Sequence, residues 1–284
     1  MTTDTRTPAS PALRRIEATQ PWRGMRRIVG VELRVWFPWR WLVLSAAGFS
    51  VFALIYVPWT IAEANQLGTL VYFFVGLWLA VMLIATVSLT EGSVLGEIER
   101  GTASWLVALP ISRPAVIVGK FLAAAAGITA IVFTVGLAIY PVLSAASTRG
   151  ITEFTYDEVV ETASAPIGMW GRYTTLADLG TWAVALAAIV MLLVFVVAVM
   201  MLLGTVLRSR VAVFGIGLLA IGVLAGLGFG ASSAAASPAG LITAIADTLQ
   251  GESPEFGPPL LATGLATAGV LLLTIWGFNR RELP

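Results

Sequence analysis

Six long apolar segments divide the chain, and shorter polar stretches separate them. Each apolar segment has about the 20 residues that an α-helix needs to cross a hydrocarbon layer about 30 Å thick. No Asp, Glu, Lys or Arg lies inside any of them. Because a helix satisfies its own backbone hydrogen bonds, the pattern predicts an all-α membrane protein with six transmembrane helices. The predicted transmembrane domain covers residues 41–284, with spans at 41–61, 70–90, 121–146, 181–206, 211–232 and 259–278.

The residues before the first span fall into two parts. Residues 1–21 are polar and rich in Thr and Pro, which predicts a disordered tail. Residues 22–40 instead alternate arginines with apolar residues. At helical spacing, one side of this segment collects Met25, Ile28, Val29, Glu32 and Trp36. We expect an amphipathic helix in the headgroup layer of the membrane, with its arginines facing phosphates. A solvated basic flank is the alternative interpretation.

The composition fits a membrane protein and excludes several kinds of chemistry. Of the 284 residues, 58% are hydrophobic and 12% are charged, whereas soluble domains have about 25% charged residues. The chain has no Cys, which excludes disulfides and Cys-ligated metals. It also has no His, which removes the usual general base and the commonest metal ligand. The net charge of +1 predicts no nucleic-acid partner.

The lysines and arginines predict the orientation in the membrane. With six spans, both termini lie on one side, and all but two of the 17 Lys and Arg residues fall there. Only Arg149 and Arg172 lie opposite. Since cytoplasmic loops carry the excess of positive charge, we expect both termini to be cytoplasmic, in the plasma (inner) membrane.

The loops on the opposite side are acidic. In the second of them, residues 238–249 are apolar enough to form a short helix that folds back into the outer leaflet. A metal site in the acidic loops is an alternative, but the carboxylates there have no fixed ligand spacing.

The fifth span has a glycine at every fourth position, namely Gly222, Gly226 and Gly230. This spacing lets another helix approach closely. One interpretation is that the face packs inside a single subunit. The other is that it meets a second copy of the protein or lines a pathway that opens and closes.

The sequence lacks an energy source of its own. An ATP-binding loop has the pattern G-x-x-x-x-G-K-[ST]. Here Gly119 and Lys120 form the only Gly-Lys pair, Phe121 follows them, and Pro114 occupies the place of the first Gly. Ion-coupled carriers place an ionisable residue within the membrane, and no predicted span contains one. We therefore expect no catalytic, cofactor or metal site in this chain.

The loop between the second and third spans, residues 91–120, has a pattern of helix starts and stops. Thr102 is a good N-cap for a short helix at 103–109, and Pro110 ends that helix. Ser112 caps the next start, which leads into the third span.

The short helix carries an apolar patch made of Trp105, Leu106 and Leu109. Such a patch needs to be covered when it faces water. Charged residues suited to the rim of an interface surround it: Glu97, Glu99, Arg100 and Arg113. The pattern predicts a surface that docks on another protein, and the alternative is a helix lying flat on lipid.

At these residues the chain resembles a known family. The pattern ERGTxxxLxxLPISRxxxxxGKxL, residues 99–122, is similar to the segment after the second transmembrane helix in ABC-2 type transporter permeases. The Arg-Glu-Leu at 281–283 is similar to their usual ending. In the family this segment is a coupling helix that fits a groove on a separate ATPase subunit. The resemblance carries that role onto Glu99, Arg100, Gly101, Thr102, Trp105, Leu109, Pro110 and Arg113. Trp105 departs from the small or aliphatic residues that are usual there.

The resemblance implies the permease subunit of an ATP-driven exporter. It implies association with a second permease copy or a related permease and with ABC ATPase subunits, which bind ATP and Mg. The uncharged spans favour a hydrophobic or lipid-like substrate, and membrane lipid is a further partner. Polar contacts for the pathway are expected from Thr86, Ser88 and Thr90. The alternatives are a non-transporting anchor or sensor that recruits an ATPase, and an ion channel.

Overall fold

The computed structural model describes residues 22, 24–36, 42–43, 45–51, 54, 67–99, 112–152, 179–207, 209–230, 237–249 and 255–280. In this part of the chain every regular element is helical, which confirms the all-α fold class there. Seven helices have described bounds: α1 Met25–Trp36, α2 Leu67–Glu99, α3 Arg113–Thr152, α4 Leu179–Val206, α5 Arg210–Gly230, α6 Pro238–Leu249 and α7 Gly257–Arg280. The tail at 1–21 lies outside the described residues, as does much of the predicted first span.

Three of the described helices are long and apolar enough to cross a membrane. They are Arg113–Pro141, Leu179–Val206 and Gly257–Arg280, at the predicted third, fourth and sixth spans. Shorter apolar helices, Gly76–Glu91 and Arg210–Val223, lie at the second and fifth. The full six-span topology stays a prediction.

α4 lies at the centre of the bundle. It packs against α2, α3, α5, α6 and α7, and its buried residues cover most of its circumference. The α4 sequence is apolar all round, which is typical of a helix enclosed by other helices. Its larger buried side chains are Trp182, Leu186, Ile189, Leu192, Leu193, Met200 and Met201.

Side chains of α4 approach the backbone of α3 closely at Gly136. In lipid, an apolar side chain gains little by moving from lipid to protein, so helix pairs depend on tight packing. A Cβ on Gly136 would overlap the side chain of Leu186. Beside this contact, Trp182 Nε1 donates a hydrogen bond to the Gly136 carbonyl at 3.1 Å. The rings of Trp182 and Tyr140 have centroids 5.9 Å apart. A larger residue at position 136 would therefore force the Leu186 side chain to shift.

A second cluster joins α2, α4 and α5. Its buried members are Val87, Val196, Met200 and Val213. α5 approaches this cluster at Gly217, where a Cβ would overlap Met200 Sδ. The close approach of α5 to the bundle is thus at Gly217, which is outside the Gly222, Gly226 and Gly230 series.

Four helix ends meet at one end of the bundle. Arg113 Nη1, at the start of α3, donates to the carbonyl of Asn279, near the end of α7, at 3.1 Å. A Cβ on Gly96, near the end of α2, would lie 3.2 Å from Nη2 of Arg210 at the start of α5. The six-span prediction requires these four ends to share one side of the membrane, and the contacts agree with it.

α6 confirms the short helix predicted at 238–249. Ser237 caps it, since the Gly240 N–H donates to Ser237 Oγ at 3.2 Å. α6 packs against α2, α4, α5 and α7. Ala239, Leu241 and Ile245 are among its buried side chains.

Candidate functional site

The predicted docking segment lies between the end of α2 and the start of α3. Both helices continue past the predicted span boundaries: α2 reaches Glu99 and α3 begins at Arg113. Residues 100–111 lie outside the described residues. They include seven predicted docking residues: Arg100, Gly101, Thr102, Trp105, Leu106, Leu109 and Pro110. The side chains of Glu97 and Glu99 are outside them as well. The apolar patch and its rim stay a prediction. The two helices that flank the segment, the end of α2 and the start of α3, are described.

The start of α3 is capped as the sequence predicts. Ser112 Oγ accepts a hydrogen bond from the Ala115 N–H at 3.3 Å, and the Ser112 carbonyl accepts one from the Val116 N–H. Pro114 lies in the first turn, where the missing N–H costs nothing because the first helical N–H groups have no partner within the helix. The docking segment is therefore followed directly by a capped helix start.

Arg113 binds a residue near the C-terminal end of α7. Its hydrogen bond to the Asn279 carbonyl satisfies one of the last carbonyl groups of α7, which have no partner within that helix. A guanidinium at the negative end of a helix is also favourable electrostatically. Sequence analysis placed Arg113 on the rim of the docking surface and missed this contact, since nothing in the local pattern links positions 113 and 279.

α1 packs on the first turns of α3. Ile28 is buried there, and a Cβ added to Gly119 would lie 3.1 Å from Ile28 Cγ2. The carbonyl oxygen of Met25 would lie 3.6 Å from the same Cβ. The side of α1 that the sequence identified as mostly apolar is thus directed at protein. Arg26, Arg27 and Arg34 are exposed on its other side.

An ion pair lies next to this contact. Lys120 Nζ is 2.5 Å from Glu32 Oε1, and the side chains are 5% and 19% exposed. A hydrogen bond between two charged groups is among the stronger contacts in proteins. Sequence analysis missed the pair. The available signal was Glu32 itself, an acidic residue on the side of α1 that carries Ile28.

The three predicted pathway residues do not share one side of α2. Thr86 and Thr90 are buried, whereas Ser88 is exposed on another side. Thr86 Oγ1 donates to the Met82 carbonyl at 2.7 Å, and Thr90 Oγ1 donates to the Thr86 carbonyl. The two buried hydroxyls are therefore satisfied by their own helix.

The glycine face of α5 is described at Gly222 only, because the surroundings of Gly226 and Gly230 lie outside the described residues. Gly222 is exposed, and a Cβ there would have no atom within 4 Å. Leu219 and Val223 beside it are exposed too. Within the described chain, the protein itself does not cover this part of α5.

Metal-ligating side chains do not cluster in the described ranges: no group of three or more His, Cys, Asp or Glu lies together there.

Comparison with known proteins identifies the family. A family model described as ABC-2 family transporter protein matches residues 79–283, which is more than half of the chain. The match begins within α2 and leaves α1 and the predicted first span before it. No curated protein matched the chain. The resemblance seen at residues 99–122 is thereby confirmed, and the chain belongs to the ABC-2 family of transporter proteins.

Proposed function

We propose that this chain is the transmembrane permease subunit of an ATP-driven ABC exporter that works as a dimer with separate ATPase subunits. Membership of the ABC-2 family supports a permease of an ABC transporter. The observation that carries the finer proposal is the support around residues 100–111. The segment ends at a capped helix start that α1 and α7 hold in place. A segment that receives force from a partner needs such a rigid attachment.

In this proposal the coupling segment at 97–113 fits the ATPase subunit. Trp105, Leu106 and Leu109 enter the partner, and the charged residues around them form the rim. ATP and Mg are bound by the partner, and its closure displaces the segment. α3 continues from the segment and packs against α4 and α7, so displacement of its first turn reaches the centre of the bundle.

The second permease copy meets the open part of α5. Gly222, Leu219 and Val223 support this assignment because they are exposed, and Gly222 offers a close approach. A related permease with the same small-residue spacing meets it in the same way.

The substrate is hydrophobic or lipid-like and moves outward. The predicted spans contain no charged residue, so a free ion would find no charged partner at membrane depth. Ser88 faces away from its own subunit and is the best placed of the three predicted pathway residues to contact substrate. The protein lies in the plasma membrane with both termini in the cytoplasm. The ATPase subunits and ATP are on that side of the membrane.

The test is capture and stimulation of an ABC ATPase. The permease is co-expressed with each candidate ATPase subunit, and the captured subunit and its ATPase rate are measured in proteoliposomes. Trp105→Ala and Glu99→Arg should each weaken capture roughly 30-fold, as expected for a residue at the centre of an interface or a reversed rim charge beside it. Trp276→Ala, an exposed tryptophan near the end of α7, is the matched control and should bind normally.

Three outcomes separate the competing functions. ATP-dependent flux of a fluorescent phospholipid supports the exporter. Stimulated ATPase without flux of any lipid or amphiphile would favour a non-transporting anchor. Conductance without any captured ATPase would instead identify a channel.

A further inference from the structure

We propose that Glu32 and Lys120 are positioning residues for coupling: they make α1 and the first turns of α3 move as one body. This inference rests on the proposed function, because it assigns α1 a part in transmitting the displacement of the docking segment. α1 lies before the range that matches the ABC-2 family. Its place in the mechanism therefore has to come from its contacts.

The lysine of the ion pair is buried where a lone charge would be unfavourable. Lys120 is the only lysine in the chain, and its side chain is 5% exposed. A buried ammonium group requires a partner, and the Glu32 carboxylate provides one at 2.5 Å. Buried ion pairs add little net stability compared with apolar residues, and their best attested use is to fix register between helices.

A steric contact fixes the same register. Ile28 lies over Gly119, with Cγ2 and Cβ 3.1 Å and 3.3 Å from where a Cβ would be. Ile28 and Glu32 are one turn apart on α1, and their partners are adjacent on α3. Rotating α1 about its axis or sliding it along α3 would break both contacts together. The two contacts thus define one arrangement of α1 on α3.

This arrangement lies next to the docking segment. Lys120 is two turns beyond Arg113, where α3 begins. The Ser112 cap and the Arg113 contact with α7 lie between residues 100–111 and Lys120. A displacement of residues 100–111 therefore reaches the contact with α1 within two turns of α3, soon after the core residue Ile117 and before deeper core residues such as Ile128. α1 responds directly, although it lies outside the predicted spans.

The experiment uses the full permease with its ATPase subunit in proteoliposomes. The variants are Glu32→Lys, Lys120→Glu, the charge exchange that combines them, and the neutral pair Glu32→Gln with Lys120→Met. ATPase capture and permease-stimulated ATPase rate are measured for each. Glu255→Lys, an exposed charge reversal just before α7, is the control and should match the wild-type chain.

A spectroscopic readout follows α1 itself. The chain has no Cys, so spin labels on Gly30→Cys and Leu122→Cys report a single distance. Both positions are exposed, and nothing lies within 4 Å of a Cβ at Gly30. We expect one narrow distance distribution in the wild-type chain and a broad one in each single charge reversal.

The expected kinetic result is loss of coupling with docking retained. Each charge reversal and the neutral pair should lower the stimulated rate about tenfold, the size typical of residues that couple two sites. Capture should change less than twofold. The charge exchange should restore a narrow distance distribution and most of the rate. A single reversed charge can prevent folding because it leaves an unpaired charge buried. The neutral pair leaves no such charge, so it tests the inference even when the single reversals do not fold.

Other results would overturn the inference. Wild-type rates in all the variants would show that α1 is not needed for coupling, and the proposed function would stand. Equal loss of capture and of rate would mean that the pair only supports docking. A wild-type chain that stimulates no ABC ATPase would remove the proposed function itself, and the wild-type measurement alone reveals that failure.

Discussion

The α3–α4 contact at Gly136 and the α1–α3 contact at Gly119 use the same device in different surroundings. In both, a glycine lets a large aliphatic side chain of the other helix approach the backbone. Around Gly136 the neighbours are buried and almost entirely apolar. Around Gly119 an ion pair accompanies the contact and arginines lie exposed on the far side of α1. The core contact belongs to a helix that packs against five other helices, whereas α1 packs mainly against α3 among the described helices.

This difference predicts how each region fails. A defect at the centre of α4 weakens many contacts and should lower the stability of the whole bundle. A defect at the junction can be relieved by releasing α1 alone, because local segments open with less free energy than the whole fold. The remaining predictions test this contrast.

The largest effect is expected in the centre of α4. Leu192→Ala, at a side chain 1% exposed, should lower the free energy of unfolding by about 3 kcal/mol because it leaves a cavity. The measurement is reversible unfolding in mixed micelles. Leu272→Ala, at a lipid-exposed side chain on α7, removes the same atoms without a cavity and should cost less than about 0.5 kcal/mol. Equal losses would contradict the central position of α4.

A smaller loss is expected from Gly136→Ala. The new methyl group would overlap Leu186, and overpacking of this kind costs about 2 kcal/mol. Gly269→Ala on α7 is the matched control, since a Cβ there meets nothing within 4 Å. In that control the free energy of unfolding should rise by up to about 1 kcal/mol, because alanine has a better helix propensity than glycine. If both variants gain stability, α3 and α4 are further apart than described.

The smallest global effect is expected from Gly119→Ala. The new Cβ presses on Ile28, so α1 should be released at a cost of about 1 kcal/mol. Hydrogen exchange should rise in α1 while the α4 amides stay protected. Adding Ile28→Ala makes room, so the double variant should be less perturbed than the sum of the two single ones. Equal exchange changes in α1 and α4 would mean that the junction and the core unfold together.

The sequence was informative wherever structure follows from local pattern. The period and length of the apolar runs placed helices at the third, fourth and sixth spans, and the cap chemistry of Ser112 located the start of α3. The short α6 was predicted because residues 238–249 are apolar. Each of these depends on residues within a few positions of one another.

Long-range pairings were missed for the same reason. Glu32 and Lys120 are far apart along the chain, and the residues next to each give no indication that the two side chains pair. Arg113 was predicted to be a rim residue because it is a charged residue flanking the apolar patch, and the structure shows that its guanidinium binds the end of α7. On α5, spacing singled out Gly222, whereas the close contact is made by Gly217. Small-residue spacing indicates where another helix can approach closely, but it does not identify which helix packs there.

The hydrogen bond between Arg113 and Asn279 also has a consequence for biogenesis. α3 is synthesised long before α7, so its first turn emerges from the ribosome with that contact unmade. The support beneath residues 100–111 is completed only after the last described helix has been inserted. In terms of the proposed function, a nascent permease lacks this contact beside its docking segment until α7 is in place.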